Sequence, residues 1–178
     1  MRTLRIGMAA VMLAVVVQIA GAQQVTKENV AGVTNFNKLE STIACAGATT
    51  PAAIADIKKL GYNAVINLRL PSEQGADVDG EIAAAKQANI TFVNLPFNAS
   101  QPDPAVVDKF IAAVTAPANQ PVFVHCASAN RAAALWMVKR LVVDGWDADR
   151  AGTEATALGL TSPALKQFAM DYAASHKK

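Results

Sequence analysis

Short runs of apolar β-formers alternate along this chain with segments whose apolar residues recur every three or four positions. "STIACAG" (41–47) reads as a short strand ending in a glycine turn. "TTPAAIADIKKLG" (49–61) predicts a helix, with Thr50 able to cap it, Pro51 suited to the first turn and Gly61 at its stop. "NAVINL" (63–68) is a buried strand, followed by the loop "RLPSEQGADVDG", a helix over "EIAAAKQAN" (81–89) and the strand "ITFVNL" (90–95). After a second loop, Asp103-Pro104 starts the helix "AVVDKFIAAVT", in which Val106, Val107, Phe110, Ile111 and Val114 form one apolar stripe. "PVFVHC" (121–126) is the next strand. Residues 132–143 form a helix apolar on nearly every side and therefore central, while "DADRAGTEATA" and "SPALKQFAMDYAASHKK" complete a helical C-terminal part.

Continuous apolar strands alternating with helices predict an α/β fold, a mainly parallel sheet flanked by helices on both faces. No repeat, low-complexity tract or linker divides residues 41–178, which read as one domain. Residues 23–40, "QQVTKENVAGVTNFNKLE", are polar and weakly periodic, an N-terminal lead-in. Residues 1–22 differ again. Arg2 and Arg5 precede an uncharged stretch from Ile6 and then Ala20-Gly21-Ala22, the pattern of a secretory signal cleaved after Ala22. The alternative is an uncleaved anchor, for which an uncharged run of about 17 residues is at the lower limit of a membrane span. The expected location is exported, periplasmic or secreted, with no membrane contact in the mature form.

Cleavage alters the charge. The chain has 16 Lys+Arg and 14 Asp+Glu, and removing Arg2 and Arg5 leaves 14 of each. A neutral mature protein gives no reason to expect nucleic acid or an anionic surface as a partner. Cys45 and Cys126, 81 positions apart, are the only cysteines, and in an exported protein a disulfide between them is one reading. With His125 and His176 the only histidines, no metal site is expected and no cofactor is implied.

The chemistry concentrates in "PVFVHCASANRAAALW". Cys126 stands where a strand passes into a helix, beyond the carboxyl end of the strand, which is where open α/β sheets bind ligands. The helix N-terminus offers free N–H groups and a partial positive charge, favouring an oxyanion and a thiolate alike. A free thiol has a pKa of about 8.5, and such surroundings lower it to about 3.5–7.5. Arg131, five residues on, supplies a planar fork for two phosphate oxygens. Together they suit attack of a thiolate on phosphorus and hydrolysis of a cysteinyl-phosphate.

"VHCASANRAAALW" resembles the signature loop of the cysteine-dependent, dual-specificity-like protein tyrosine phosphatases, and more narrowly the phosphatase-like domain of bacterial beta-lactamase hydrolase-like proteins. "ACAGATTPAAIADIKKLGYNAVINLR" (44–69), "ITFVNLPF" (90–97) and "GWDADRAGTEATALGLTSPALKQF" (145–168) extend the likeness over roughly residues 35–175. The resemblance implies the phosphatase fold, Cys126 as nucleophile, Arg131 as phosphate clamp, and backbone donation from Ala127, Ser128, Ala129 and Asn130.

The chain departs from the wider family pattern in several places. Four residues rather than five separate Cys126 from Arg131, a shortening shared with the bacterial branch and with rhodaneses, which carry a persulfide. Ala129 stands where the loop commonly has glycine. Ala132 stands where a Ser or Thr usually helps the thiolate leave, and Gly47-Ala48-Thr49 replaces Gly-Gln-Pro. For the general acid, Asp103 and Glu73 are both candidates, with Asp77 and Asp79 behind them; Asp103 is equally a helix cap. His125 is placed to position Cys126. Arg69 is either a second phosphate contact or half of a surface ion pair. Trp136 and Met137 read as core, and Trp146 as packing on the C-terminal helices.

The function expected is exported hydrolysis of phosphomonoesters, either phosphotyrosine-like or a small phosphoester, the partner being a phosphorylated small molecule or protein. A non-catalytic anion- or partner-binding descendant and a rhodanese-like sulfurtransferase are the alternatives.

Overall fold

Three strands that are buried at every position form the middle of the sheet: β3 (Ile43–Ala46), β4 (Ala64–Asn67) and β6 (Val122–His125). They and the rest of the chain are seen in a computed structural model that describes residues 24–176, so the expected signal over 1–22 lies outside the described residues. The sheet order is β1-β2-β3-β6-β4-β5, with β1 (Val25–Val30), β2 (Val33–Leu39) and β5 (Thr91–Asn94) completing it. β3, β6, β4 and β5 run parallel, whereas β1–β2 and β2–β3 pair antiparallel. The mainly parallel α/β sheet expected from the sequence is therefore present, with an antiparallel hairpin added at one edge.

That hairpin is the main difference from the sequence reading. The segment 23–40, expected as a lead-in, supplies two strands. Its outward positions are polar and exposed, so it lacks the apolar run that marked the other strands. What holds it is the far end of β2, where Phe36 and Leu39 are buried. The Phe36 ring stacks on Phe123 of β6 (centroids 5.8 Å apart) and meets Tyr62 edge-on at 6.2 Å.

Helices cover both faces. α1 (Ile54–Lys59) and α2 (Val78–Ala88) lie over a core containing Phe36, Ile54, Ile57, Val65 and Phe123. α3 (Pro104–Thr115), α4 (Asn130–Val142), α5 (Ala148–Ala157) and α6 (Pro163–His176) cover the other face. The helix expected over 49–61 is divided: a 3-10 turn over Pro51–Ala53 precedes α1, and Thr50 makes no capping bond because its hydroxyl lies against Gly32 of the hairpin turn. α2 starts three residues before the expected 81, where Asp77 caps it by accepting from Gly80 N–H at 2.9 Å. In α3, Val107, Phe110 and Val114 are buried, with Val106 and Ile111 partly so. α4 is central as expected, with Trp136 and Met137 in the core. Trp146 lies between the guanidinium groups of Arg140 and Arg150, at 4.1 and 3.5 Å from its ring centre. Among the described residues, no helix is long and apolar enough to cross a membrane.

The parallel strands end level. Ala46 and Asn67 both stand opposite His125, and Asn67 stands opposite Asn94. The loops after β3, β4, β5 and β6 thus leave the sheet at one edge, and the loop after β6 is central among them.

If the hairpin is part of the core, Phe36→Ala should destabilise the protein by about 3–5 kcal/mol, the usual cost of emptying a buried phenyl site. Urea unfolding followed by circular dichroism measures this, and an unchanged midpoint would mark 23–40 as the loose lead-in that its composition suggested.

Candidate active site

The chain between β6 and α4 turns through Cys126–Ala129 and enters the helix at Asn130. Cys126 N–H donates to Ala46 O at 3.1 Å, which fixes the start of the loop against β3. From the other side, Ala48 N–H donates to Ala127 O at 3.1 Å. Gly47 permits this approach: a Cβ there would lie 2.3 Å from Thr34 Oγ1 and 3.1 Å from Ala127 O. The first turn of α4 leaves N–H groups without intrahelical acceptors and a partial positive charge facing the loop. Cys126, Ala127, Ser128, Ala129, Asn130 and Arg131 are all brought together here. Ala127 and Ser128 are exposed, while the Cys126 side chain forms part of the core beneath.

Ala129 adopts the left-handed conformation (φ 73°, ψ −17°) that glycine usually supplies. For an L-residue this region costs about 1–2 kcal/mol. Its methyl group is fully buried against Gly159, in the turn between α5 and α6. A Cβ at Gly159 would stand 2.8 Å from that methyl, and Gly159 itself has φ 113°. The alanine is thus accommodated by the adjoining turn and the loop keeps the shape a glycine would give it. Asn130 reinforces the same contact, its Oδ1 accepting from Thr161 N–H (2.7 Å), the Thr161 hydroxyl (3.1 Å) and Ser162 N–H (2.8 Å).

Arg131 is the most heavily constrained side chain of the site. Nη1 donates to Leu68 O and Phe97 O, both at 3.0 Å, and to Glu73 Oε1 at 2.6 Å, while Nη2 donates to Glu73 Oε2 at 2.8 Å. A guanidinium has five N–H donors. This accounting leaves Nε–H and one Nη2–H, which share one edge of the fork, and Cys126 is near enough to act on the charge of the group. Burial opposes its charge, but the bonds to Glu73 and the proximity of Cys126 and Glu73 outweigh burial and raise its pKa.

Glu73, considered above as a proton donor, is instead the counter-ion of Arg131. Burial pushes its carboxyl up, yet the bonds from Arg131 and Leu70 N–H, the Arg131 charge and the bond from Arg69 bring the pKa down to about 2. It is ionised at working pH and has no proton to give. Arg69 is neither exposed nor aimed at the loop. It is 3% accessible and donates to Glu73 Oε2, Gly75 O and Gln74 O at 3.3, 2.8 and 2.6 Å, which closes the 70–76 loop around the carboxylate. Asp103 is exposed and caps α3, accepting from Ala105 N–H at 2.9 Å. The loop after β5 that carries it also contains Phe97, whose carbonyl accepts from Arg131. Asp77 is a cap as well, and Asp79 lies in the first turn of α2.

Cys45 and Cys126 are both free, buried thiols. Burial, then the nearby Cys126 and Glu154, push the Cys45 thiol well above its ordinary pKa, so it remains protonated. His125 is fully buried, and its Nε2 lies 3.0 Å from Glu81 Oε2 on α2. Sequence reading missed Glu81, although a signal was available: it lies four residues before Ala85, on the stripe of α2 that faces the sheet. A groove of about 520 Å³ opens beside the loop, with Asn29, Asn35 and Asn37 of the hairpin on one side and Ser128, Asn130 and Thr161 on the other.

Residues 35–142 match the family model of the beta-lactamase hydrolase-like protein, phosphatase-like domain. A search of curated proteins finds no match. Among solved structures, the fold is similar to that of a DUF442 protein from Shewanella putrefaciens CN-32 (TM-score 0.68, 21% identity, covering 84% of this chain and 97% of that one). It is similar to P. aeruginosa TpbA (TM-score 0.64, 22% identity, 88% and 91% covered), a protein also solved in complex with phosphotyrosine. The core catalytic domain of the PP-IP phosphatase SIW14 from S. cerevisiae, in complex with citrate, has a TM-score of 0.65 at 19% identity, with 81% and 88% covered. At these identities the likeness is one of fold. The family match spans more than half of the chain and includes the whole turn from β6 into α4, and on that ground the chain belongs to the beta-lactamase hydrolase-like protein, phosphatase-like domain family.

Proposed function

We propose that this protein hydrolyses phosphomonoesters through a cysteinyl-phosphate. One observation carries the reading: Arg131 is held rigid by a bidentate carboxylate and two carbonyls while one edge of its fork stays available beside Cys126, at the N-terminus of α4. Bound there, a phosphate would have two oxygens on Arg131 and the others on loop and helix N–H groups, with phosphorus facing the Cys126 sulfur. Such donors stabilise the charge that spreads over the equatorial oxygens, and they need no reorganisation during the reaction.

In the first step Cys126 Sγ attacks phosphorus, the bond to the ester oxygen breaks, and the leaving oxygen takes a proton. Asp103 is the donor in this reading, since Glu73 is committed to Arg131. Water then attacks the cysteinyl-phosphate and the sulfur leaves as thiolate. Ala132 offers no hydroxyl to that sulfur, so Arg131 and the N-terminal dipole of α4 stabilise it. The adjoining groove, lined by amides and hydroxyls together with Lys27 and Glu28, gives the alcohol portion of the ester a hydrogen-bonding seat. With residues 1–22 read as an export signal, the protein acts outside the cytoplasm, where a small phosphoester is a more available substrate than protein phosphotyrosine.

The primary test is hydrolysis of p-nitrophenyl phosphate by residues 23–178 under reducing conditions. Turnover should vanish in Cys126→Ser while phosphate still binds; equal activity in the variant would remove the nucleophile and with it the reading, and thiocyanate formation from thiosulfate and cyanide would favour sulfur transfer instead.

A second test separates the two carboxylates. Asp103→Asn should slow hydrolysis of phosphotyrosine by about 10²-fold or more, the usual contribution of a general acid, and slow p-nitrophenyl phosphate less because its leaving group needs less protonation. Equal losses on both substrates would count against Asp103 as donor.

A third concerns pH. Glu73 is ordinarily near 4.5 and is lowered to about 2 in the fold, so its contribution to stability is complete above about 4.5 and is lost as pH falls toward 2. Thermal unfolding from pH 7 to pH 2 should show this acid loss in the wild type and a shallower one in Glu73→Gln. The same variant, with Arg131 free to swing, should lose about 10²-fold in kcat/KM.

A further inference from the structure

The groove beside the loop after β6 offers more hydrogen-bonding capacity than the protein itself uses. Its volume of about 520 Å³ falls in the usual range of small-molecule sites, about 300–1,000 Å³. One wall is the β1–β2 hairpin, and the other is the loop with the α5–α6 turn. Asn37 lines it and is 4% exposed. Both protons of its amide are committed, to Asn35 O and Leu158 O at 3.0 Å each, which leaves Oδ1 an acceptor without a partner among the described residues. A sheltered amide oxygen that no group of the protein satisfies is a place for a ligand's hydroxyl.

The groups around it have the same spare capacity. Asn35 has left-handed backbone (φ 49°), a conformation asparagine tolerates, and its Nδ2 donates to Ser128 O across 3.5 Å. That is the outer limit of a hydrogen bond, weak enough to be exchanged for one to a ligand. Ser128 is exposed, and its Oγ accepts from Asn130 Nδ2 at 3.3 Å, which leaves the hydroxyl proton to be donated outward. Asn29, on the exposed edge strand β1, adds another amide. An amide accepts through one atom and donates through the next, the pattern that neighbouring hydroxyls of a sugar or polyol match.

The rest of the lining argues against other alcohols. The Phe36 ring on its border is 2% exposed and stacked on Phe123, so it presents no face to an aryl group. The charged lining residues, Lys27 and Glu28, are of opposite sign and give no net attraction for a second anionic group. A saturated alkyl chain would cover the Asn37 oxygen without giving it a donor, which is unfavourable.

We propose that this groove selects the alcohol portion of the substrate and that this portion is a neutral sugar or polyol, with Asn29, Asn35 and Asn37 as the specificity-determining residues. The inference rests on the hydrolytic reading given above. In that chemistry the bond between phosphorus and the sugar oxygen breaks, the oxygen leaves carrying a proton, and the phosphoryl group passes through Cys126 to water. Lys27, Asn29 and Val33 precede residue 35, where the family match begins, so family membership does not prescribe this wall.

The experiment compares glucose 6-phosphate with hexyl phosphate on the reduced protein. Both are esters of primary alcohols and make similar demands on a proton donor, whereas one has hydroxyls and the other none. The ratio of their kcat/KM values should favour the sugar phosphate by about tenfold or more, because a site with polar groups to satisfy rejects the analogue that leaves them unpaired. Asn29→Ala combined with Asn35→Gly, glycine keeping the left-handed backbone, should lower that ratio by about 3- to 10-fold, the effect of losing one neutral hydrogen bond. Asn37 is left in place because it also holds Leu158. Calorimetry on Cys126→Ser reads the groove without turnover, and glucose 6-phosphate should bind more tightly than either hexyl phosphate or phosphotyrosine. A wild-type ratio near one, a ratio unmoved in the folded double variant, or tighter binding of phosphotyrosine overturns the inference. Hydrolysis of p-nitrophenyl phosphate with no sugar preference would remove this inference and leave the phosphatase reading. A sugar preference in binding by a protein that hydrolyses no ester would remove the phosphatase reading and leave the selectivity of the groove standing.

Discussion

A buried positive charge has to be neutralised where it stands, and in this protein that requirement organises the site around Arg131. Leaving such a group uncompensated costs several kcal/mol, so Glu73 is drawn in from the loop after β4 to meet it in bidentate geometry. Leu68 and Phe97 then supply carbonyls from the ends of β4 and the segment after β5. The segments after β4 and β5 converge on one planar group because those strands stop at the same level. Arg69, buried behind Glu73, closes the arrangement by holding the 70–76 loop to its own carbonyls.

This convergence divides the labour among the acidic residues. A carboxylate that immobilises the guanidinium and is lowered to about 2 holds no proton at working pH, so Glu73 serves as the anchor alone. The anchor is sheltered and multiply bonded, whereas Asp103 is exposed at the far end of the loop after β5 and caps α3.

Much of the fold could be read from the chain because most elements carry local signals. β3, β4, β5 and β6 are short, apolar-rich runs, α3 shows its buried stripe by spacing, and α4 is apolar on nearly every side. The hairpin of β1 and β2 gave no such signal: its outer positions face solvent, and what secures it is the contact of Phe36 with Phe123 and Tyr62, far away in sequence. The site divides in the same way. Cys126 and Arg131 are five residues apart between a strand and a helix, a local pattern. Glu73 with Arg131 and Glu81 with His125 are pairs separated by 58 and 44 positions, and single-residue chemistry gives no means to choose such partners. Hence Glu73 could be seen as important before the structure, but not that its proton would be missing.

The contact between Ala129 and Gly159 makes two distant positions behave as one. The space between the β6–α4 turn and the α5–α6 turn holds a single methyl, and here the first turn has it. A homologue with glycine at the first position loses this contact, yet the φ of 113° and the nearby Asn37 amide still favour glycine at the second, and no sequence can fill both without moving a backbone. The loop is therefore not a portable cassette. Transplanting "HCASANR" into a relative requires carrying the matching glycine from thirty residues downstream, and swapping either position alone would test the graft's packing rather than its chemistry.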